Sequence, residues 1–333
     1  MKRLAIILTI ILALLGVVIY ANLWWRQVNT PVSGTQDFQD FLIVRGSSAN
    51  RIGNNLEEEG LIQNALAFKV YSQVTGKSKK IQAGEYRLSP HLSLAEIVNQ
   101  LTKGPVEVWV TVPEGLRREQ VVERFISGLG KEGEDAITFR QEFLVESEGL
   151  EGYLFPDTYL FPKTASGSAV VIKLQTTFDT KIAGFEEGVA ESDLSLKEIV
   201  TLASIIERET KTDEERPIVA GILINRLEEG MALQADATVQ YTTATIDCEG
   251  AVECDWWPTV TRADLDIDSL YNTYEYPGLP PGPIANPGLS SLKAAINPSN
   301  TDYFYYIHEP SGQIHYAETL DEHNANVRRY LGK

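Results

Sequence analysis

The stretch Leu196-Lys-Glu-Ile-Val-Thr-Leu-Ala-Ser-Ile-Ile-Glu-Arg-Glu-Thr210 decides how the chain is read. Ile199, Leu202, Ala203 and Ile206 fall on one face at the 3.6-residue period, so the segment reads as a helix with an apolar stripe. It stays apolar almost to its end and then presents Glu207 and Glu209. A carboxyl at the end of a nearly buried helix loses hydration, which disfavours its charged form and raises its pKa. A general acid for glycosidic cleavage near neutral pH needs that property. The helical wheel sets the two acids on opposite flanks of the stripe, so periodicity does not choose between them. Two solvated carboxylates at a frayed helix end fit the same pattern.

Upstream, the N-terminus has its own signal. After Lys2 and Arg3 an apolar run extends from Leu4 to Trp25, broken only by Thr9, Gly16 and Asn22. About 20 apolar residues cross the hydrocarbon core as a helix, and Tyr20, Trp24 and Trp25 stand where amphipathic rings favour the interface. A cleaved signal peptide has a shorter apolar region with small residues after it, so residues 4–25 read as an uncleaved transmembrane helix. Lys2 and Arg3 place residues 1–3 in the cytoplasm. Polar, Pro- and Gly-containing residues 26–37 read as a linker.

A small domain is expected over 38–105. Phe41-Leu-Ile-Val44 is a strand candidate, Ala49 to Glu59 and Asn64 to Val74 carry helical spacing, and Ala83 to Leu88 alternates as a strand. Ser93 and Glu96 form a capping box before a helix striped by Leu94, Ile97, Val98 and Leu101. This strand–helix–helix–strand order resembles a LysM-type module, a fold that binds N-acetylglucosamine polymers; a packing domain without sugar affinity has the same pattern. Val106 to Val112 reads as a strand, and Arg117 to Ile126 begins a helix, within a connecting region over 106–148. Glu151 to Pro162 is dense in aromatics, which suits a sugar-facing strand or a core strand equally. The expected class is therefore α+β: one N-terminal transmembrane helix, a small βααβ module, and a larger mixed α+β domain over 149–333.

Composition removes some function classes. The 333 residues carry a formal net charge of -17, which argues against a nucleic-acid partner, because phosphate needs a basic face. The same balance argues against docking on anionic lipid through a basic surface. No Gly-x-Ser-x-Gly elbow is present. Cys248 and Cys254 are the only cysteines, and outside the cytoplasm they read as a disulfide. Without a neighbouring His they do not make a zinc set, so no metal is expected. His91, His308, His315 and His323 are scattered, although His308 and His315 could meet across a hairpin.

Several stretches occur together in order: Phe155-Pro-Asp-Thr-Tyr159, Leu202-Ala-Ser-Ile-Ile-Glu-Arg-Glu-Thr210, Ile224-Asn-Arg-Leu227, Leu233-Gln-Ala-Asp-Ala-Thr-Val-Gln-Tyr241 and Tyr271-Asn-Thr-Tyr274. Gly278-Leu-Pro-Pro-Gly-Pro-Ile-Ala-Asn-Pro-Gly288, Ser291-Leu-Lys-Ala-Ala295 and Asn297-Pro298 follow. This set closely resembles the YceG-like endolytic murein transglycosylases over nearly the whole chain. The resemblance implies that Glu209, the second Glu of the Ile-x-Glu-x-Glu pattern, is the catalytic acid, with Glu207 supporting or structural. It implies a cleft walled by Gln234, Asp236 and Thr238 from a loop-strand after the helix that ends near Gly230. Tyr271, Asn272 and Thr273 would supply hydrogen bonds and a ring face, and Asn286 with Pro287 would continue the wall beyond a rigid Leu279-Pro-Pro-Gly282 turn. Residues 245–258, with the cysteine pair, Trp256 and Trp257, match no family motif quoted above. The two indoles stack on sugar if that loop overhangs the cleft; a disulfide-stapled surface loop is the alternative.

The implied reaction is cleavage of the N-acetylmuramic acid–N-acetylglucosamine bond of nascent glycan strands, leaving a 1,6-anhydro end. It needs one carboxyl, no metal and no cofactor, where ordinary glycosidases use two carboxyls. The implied partners are peptidoglycan glycan strands and, on the extracytoplasmic side of the cytoplasmic (inner) membrane, peptidoglycan synthases. A muramidase using Asp236 to activate water and a non-catalytic wall-binding protein are the rival readings.

Overall fold

The computed structural model describes residues 2–332 apart from 36, 45, 250, 252 and 253, with side chains described from Ile10 onward. The chain forms two compact units: Met1–Val110 with Tyr159–Thr164, and Thr111–Thr158 with Ala165–Lys333.

The first unit opens with helix α1 (Lys2–Val28). Its apolar side chains from Ile10 to Leu23 are exposed all round, Val17 and Val18 each at 64%. A core helix of a soluble domain would hide them, so the helix has the length and composition of a membrane span. The pattern changes at Trp24 and Trp25, which pack with buried Val28 onto the core of the unit. The helix therefore continues three residues into the stretch expected as linker, because Val28 finds an apolar site there. The following residues are also docked: Ala95 N–H donates to Asn29 Oδ1 at 2.9 Å, and Val32 and Ser33 N–H both donate to the Pro90 carbonyl.

The βααβ order is observed as β1 (Gln39–Ile43), α2 (Ala49–Glu58), α3 (Ala65–Val74) and β2 (Gly84–Leu88), followed by α4 (Leu94–Lys103). Ser48 and Asn64 cap the two central helices, and the Ser93–Glu96 box closes the start of α4. β1 and β2 pair antiparallel with Phe41 opposite Tyr86, so both rings enter the core with Leu56, Phe68, Ile97 and Leu101. β3 (Glu107–Thr111) pairs with β2, and β4 (Thr158–Pro162) completes the sheet in the order β1-β2-β3-β4. Gly84 has φ +142, and a Cβ there would lie 2.2 Å from the Glu107 carbonyl, so only glycine allows β3 to close on β2. Tyr159 and Phe161 are 5% and 7% exposed and Phe155 4%, which places the aromatic run of 153–161 in cores rather than on a surface.

The second unit is mainly helical. α5 (Arg118–Leu129), α6 (Gly133–Glu146), α7 (Gly167–Ile182) and α8 (Glu186–Glu191) precede α9 (Leu196–Glu209). α10 (Glu215–Glu228), α11 (Asp236–Asp247) and α12 (Leu289–Ile296) pack around α9. A hairpin of β5 (Tyr305–His308) and β6 (Ile314–Ala317), then α13 (Leu320–Asn326), end the unit. α9 starts at a Ser195–Glu198 capping box and buries Ile199, Val200, Leu202, Ala203, Ile205 and Ile206 completely. It stops at Thr210, whose backbone is extended.

One expectation is corrected. Residues 233–241 are not a loop-strand: Leu233, Ala235 and Ala237 do alternate inward against outward Gln234 and Asp236, but the chain is helical from Asp236 onward. Thr238 closes the first turn, its N–H at 3.0 Å and its Oγ1 at 2.7 Å both donating to the Ala235 carbonyl. An acid in that first turn also suits the helix dipole.

Ser204 joins α9 to the Pro-rich wall. Its Oγ accepts from Ile284 N–H at 3.0 Å and donates to the Thr201 carbonyl at 2.7 Å, fully buried. Ser204→Ala leaves that N–H without a partner, a loss of about 1–3 kcal/mol. Thermal unfolding should show Tm lowered by several degrees; an unchanged Tm would mean the wall is held independently of this bond.

Candidate active site

The C-terminal tip of α9 separates its two acids. Glu207 turns toward α12, where Oε2 accepts from Gly288 N–H at 2.9 Å and Ser291 Oγ at 2.7 Å. Its Oε1 pairs with Arg216 at 3.3 Å, with only 7% and 9% of the two side chains exposed. Arg216 in turn bonds Ser291 Oγ and Asp213. Every oxygen of Glu207 is thus committed to the frame.

Glu209 turns the other way, into an open cleft of about 340 Å³. Tyr306 Oη donates to Oε2 at 2.9 Å, and Ala237 N–H, in the first turn of α11, donates to Oε1 at 3.4 Å. Burial raises the Glu209 carboxyl above its ordinary value, and the nearby Asp236 charge adds to this; the two donated bonds and His308 oppose it. Burial first, then Glu209, hold the Tyr306 phenol well above its usual range, so it remains a donor.

Arg226, Gln234, Asp236, Tyr274 and Tyr305 line the same cleft. Arg226 donates to the Phe304 and Leu233 carbonyls, each at 2.6 Å, tying α10 to the hairpin and to the turn before α11. Asn225 donates to the Thr301 and Tyr303 carbonyls, so the Asn225-Arg226 pair positions the strand that carries Tyr306. Gln234 has φ 50, the one non-glycine in the left-handed region among the described residues. A strained backbone of this kind persists only where its surroundings over-determine it; here Gln234 N–H is held by the Thr273 carbonyl at 3.1 Å, leaving the side chain exposed. Asp236 Oδ1 accepts from Tyr274 Oη at 2.6 Å.

The other residues expected at the wall are placed behind it. Thr238 and Thr273 are buried, with hydroxyls 2.9 Å apart, and Thr273 Oγ1 accepts from Ala235 N–H at 3.0 Å. Asn272 is fully buried and donates to the Leu265 and Ile267 carbonyls. Asn286 is fully buried too: its Oδ1 accepts from Leu154 N–H, and its Nδ2 donates to the Leu116 carbonyl and to Glu151. Burial, reinforced by Glu119, pushes the Glu151 carboxyl up to about 8. Tyr271 is half-buried, and its ring lies tilted against Tyr241 with centroids 4.9 Å apart. Tyr274, Tyr305, Tyr306, Arg226 and His323 line the cleft without having been singled out as wall residues. The signal for Arg226 lay in the Ile224-Asn-Arg-Leu227 motif and for Tyr274 in Tyr271-Asn-Thr-Tyr274, whereas no motif pointed to Tyr305 or Tyr306.

The loop after α11 is stapled by the Cys248–Cys254 disulfide; residues 250, 252 and 253 lie outside the described part. Trp256 packs on Ala244 and Cys248, with the Arg117 guanidinium 4.7 Å from its ring. Trp257 carries Arg208 at 3.8 Å and donates from Nε1 to Gln120 at 3.0 Å. Both indoles are engaged by arginines. His308 and His315 do lie on the two hairpin strands, but His308 bonds Glu215 at 3.3 Å and His315 bonds Glu309 at 3.0 Å rather than each other.

Fold and site together define an α+β protein with an N-terminal apolar helix and a tyrosine-walled acidic cleft at the tip of a sheathed helix. The YceG-like family model matches residues 41–329, and the chain belongs to that family. An endolytic murein transglycosylase of Bacillus subtilis is 33% identical, the match covering 87% of this chain and 84% of that protein. One from Streptococcus pneumoniae is 27% identical over 87% of this chain and 58% of its own length. A crystal structure of a yceG-like protein from Listeria monocytogenes matches with a TM-score of 0.56 and 29% identity, covering 87% of this chain and 99% of that one.

The two acids should respond oppositely to substitution. Glu207→Ala removes the buried partner of Arg216 and of Gly288 N–H at the α12 N-terminus, leaving Arg216 only the exposed Asp213 as a counter-charge, and should destabilise by about 3 kcal/mol. Glu209, with a raised pKa, favours the fold most below the ordinary carboxylate value, and that contribution is lost as pH rises through the raised value. Glu209→Gln mimics the protonated form, so Tm at neutral pH should be unchanged or higher. Thermal unfolding of both variants checks this; equal losses would mean both acids are structural.

Proposed function

We propose that this chain is a peptidoglycan lytic transglycosylase that cuts nascent glycan strands internally, with Glu209 as its single general acid and base. The observation that carries the reading is the division of labour at the end of α9: Glu207 is committed to the frame, while Glu209 faces an open cleft with its proton favoured by burial. The names of the B. subtilis and S. pneumoniae relatives support the same activity.

In this mechanism protonated Glu209 gives its proton to the oxygen bridging N-acetylmuramic acid and N-acetylglucosamine. The bond from muramic C1 to that oxygen breaks, leaving an oxocarbenium-like centre. The carboxylate formed is stabilised by Tyr306 Oη and Ala237 N–H, which already point at its two oxygens. It then takes the proton of the muramic C6 hydroxyl as that oxygen bonds to C1. The products are a 1,6-anhydro end and a free N-acetylglucosamine hydroxyl, and Glu209 is again protonated. Gln234 and Asp236 are the exposed polar groups suited to hold the sugars; Thr238, Asn272, Thr273 and Asn286 act by holding that wall in place.

We read α1 as a single-pass anchor in the cytoplasmic membrane. Lys2 and Arg3 favour a cytoplasmic start and an extracytoplasmic catalytic part, beside strand synthesis, where peptidoglycan synthases would be partners. The observed βααβ order supports a LysM-like reading of the first unit.

Purified glycan strands incubated with the chain should yield anhydro-ended internal fragments by mass spectrometry, and Glu209→Gln should yield none. Reducing ends would instead make it a muramidase, and no fragments from either protein would leave only a binding role.

Because Glu209 must start protonated, kcat/KM should fall as pH rises through its raised pKa. The Tyr306 bond lowers that pKa, so Tyr306→Phe should move the alkaline limb to higher pH, with kcat about tenfold lower. A limb that stays in place would assign it to another group.

A further inference from the structure

The net charge of -17 averages over an uneven surface. From Leu61 to Lys80 the chain has four lysines, Lys69, Lys77, Lys79 and Lys80, and no acid. This segment is α3 and the short 3-10 turn after it (Lys77–Lys80), with Lys79 and Lys80 exposed. α3 also carries apolar residues on its outer face: Leu66, Val70 and Val74, spaced four apart, are 60%, 43% and 82% exposed. Its inner face is spent on the core through Ala67, Phe68 and Ser72. A helix with one face in its own domain and valines outward beside lysines has the composition of an interfacial element.

Its place in the unit identifies the surface it meets. Tyr71 of α3 stacks on Trp25 of α1 at 4.8 Å, and Lys77 Nζ lies 5.4 Å from the centre of the same tyrosine ring. Gln63 Nε2, just before α3, donates to the Thr30 and Pro31 carbonyls of the segment leaving α1. Trp24 and Trp25 end the exposed apolar span, where indoles mark the membrane–water interface. The tie between span and helix is rigid, because Val28 is buried and Asn29 is bonded to α4. The acids of α2 and its cap, Glu57 to Glu59, lie at the other end of α3, where Glu57 Oε2 accepts from Ala65 N–H.

We propose that the outward face of α3 and the Lys77–Lys80 turn form a lipid-docking surface that seats the first unit on an anionic bilayer. Val70 and Val74 enter the headgroup boundary, and Lys69, Lys79 and Lys80 meet lipid phosphates. Docking gives the unit a second attachment to the membrane beside the span. The inference rests on reading α1 as a membrane span.

The test uses the full chain, which has no free cysteine among its described residues, reconstituted in vesicles. A nitroxide at Val74→Cys reports on docking and one at Leu15→Cys on the anchor. In phosphatidylglycerol–phosphatidylethanolamine vesicles the Val74 label should lose access to a water-soluble nickel chelate and gain access to oxygen. Adding Lys69→Glu, Lys79→Glu and Lys80→Glu, with Tm checked to be unchanged, should reverse this, as should phosphatidylcholine alone. A water-exposed Val74 label beside a lipid-buried Leu15 label overturns the docking and leaves the anchor standing. A water-exposed Leu15 label overturns both.

Discussion

The burial of α9 from Ile199 to Ile206 is the constraint from which the site follows. Ile199, Val200, Leu202, Ala203, Ile205 and Ile206 are all fully buried, so the helix is a core element and not a surface amphipath. Apolar burial on this scale is the dominant favourable term in folding, and it leaves the helix no freedom to slide or rotate. Charged residues can then occur only where the sheath ends. Glu207, Arg208 and Glu209 occupy its C-terminal end and leave the axis about 100° apart, so each meets a different neighbour: α12, Trp257 and the cleft.

A second layer of buried polar groups holds the cleft's rim against this fixed post. Thr238 and Thr273 join the start of α11 to the Tyr271–Tyr274 turn, and Asn272 shapes that turn from inside. Asn286 gathers Leu154, Leu116 and Glu151 around the Pro-rich wall. Each of these side chains satisfies backbone groups that would otherwise be buried without partners, a loss larger than the net gain of an ordinary hydrogen bond. They set where Gln234, Asp236 and Tyr274 stand without entering the cleft.

Local chemistry made much of the fold legible. The Ser93–Glu96 box and the stripe of α9 are each a local pattern, and each forms as read. The 233–241 stretch misled because inward and outward residues alternate up to Ala237 even though the helix begins at Asp236; burial alone does not distinguish an extended entry from a strand. The apolar helix and its approximate end were also visible, but not that Val28 and Asn29 would be claimed by the first unit, which depends on residues more than sixty positions away. For the site, periodicity named the acids at the end of α9 without telling them apart, since their physical difference lies in α12 and the hairpin; only the family resemblance pointed to Glu209. Polar residues such as Asn272 and Asn286 read equally as ligand contacts or frame. Tyr306 could not be found at all without knowing that β5 returns to the end of α9.

The contrast between Glu207 and Glu209 shows how nearly matched surroundings yield different chemistry. Both carboxylates accept a backbone N–H at a helix N-terminus, Gly288 ahead of α12 and Ala237 in α11, and both accept a hydroxyl, Ser291 or Tyr306. Helix N-termini favour negative charge in each case. What differs is the cation. Glu207 has Arg216 at 3.3 Å in a buried pair, whereas the acid beside Glu209 is Asp236, and the positive charge of Arg226 is spent on two carbonyls. Without a cation paired to it, desolvation prevails at Glu209 over the donated bonds and His308, and raises its carboxyl above the ordinary value. The two donors at Glu209 remain available to stabilise the anion once the proton has left. A carboxyl so placed can both give and recover a proton without moving, which is the requirement for one residue to serve as acid and base in turn.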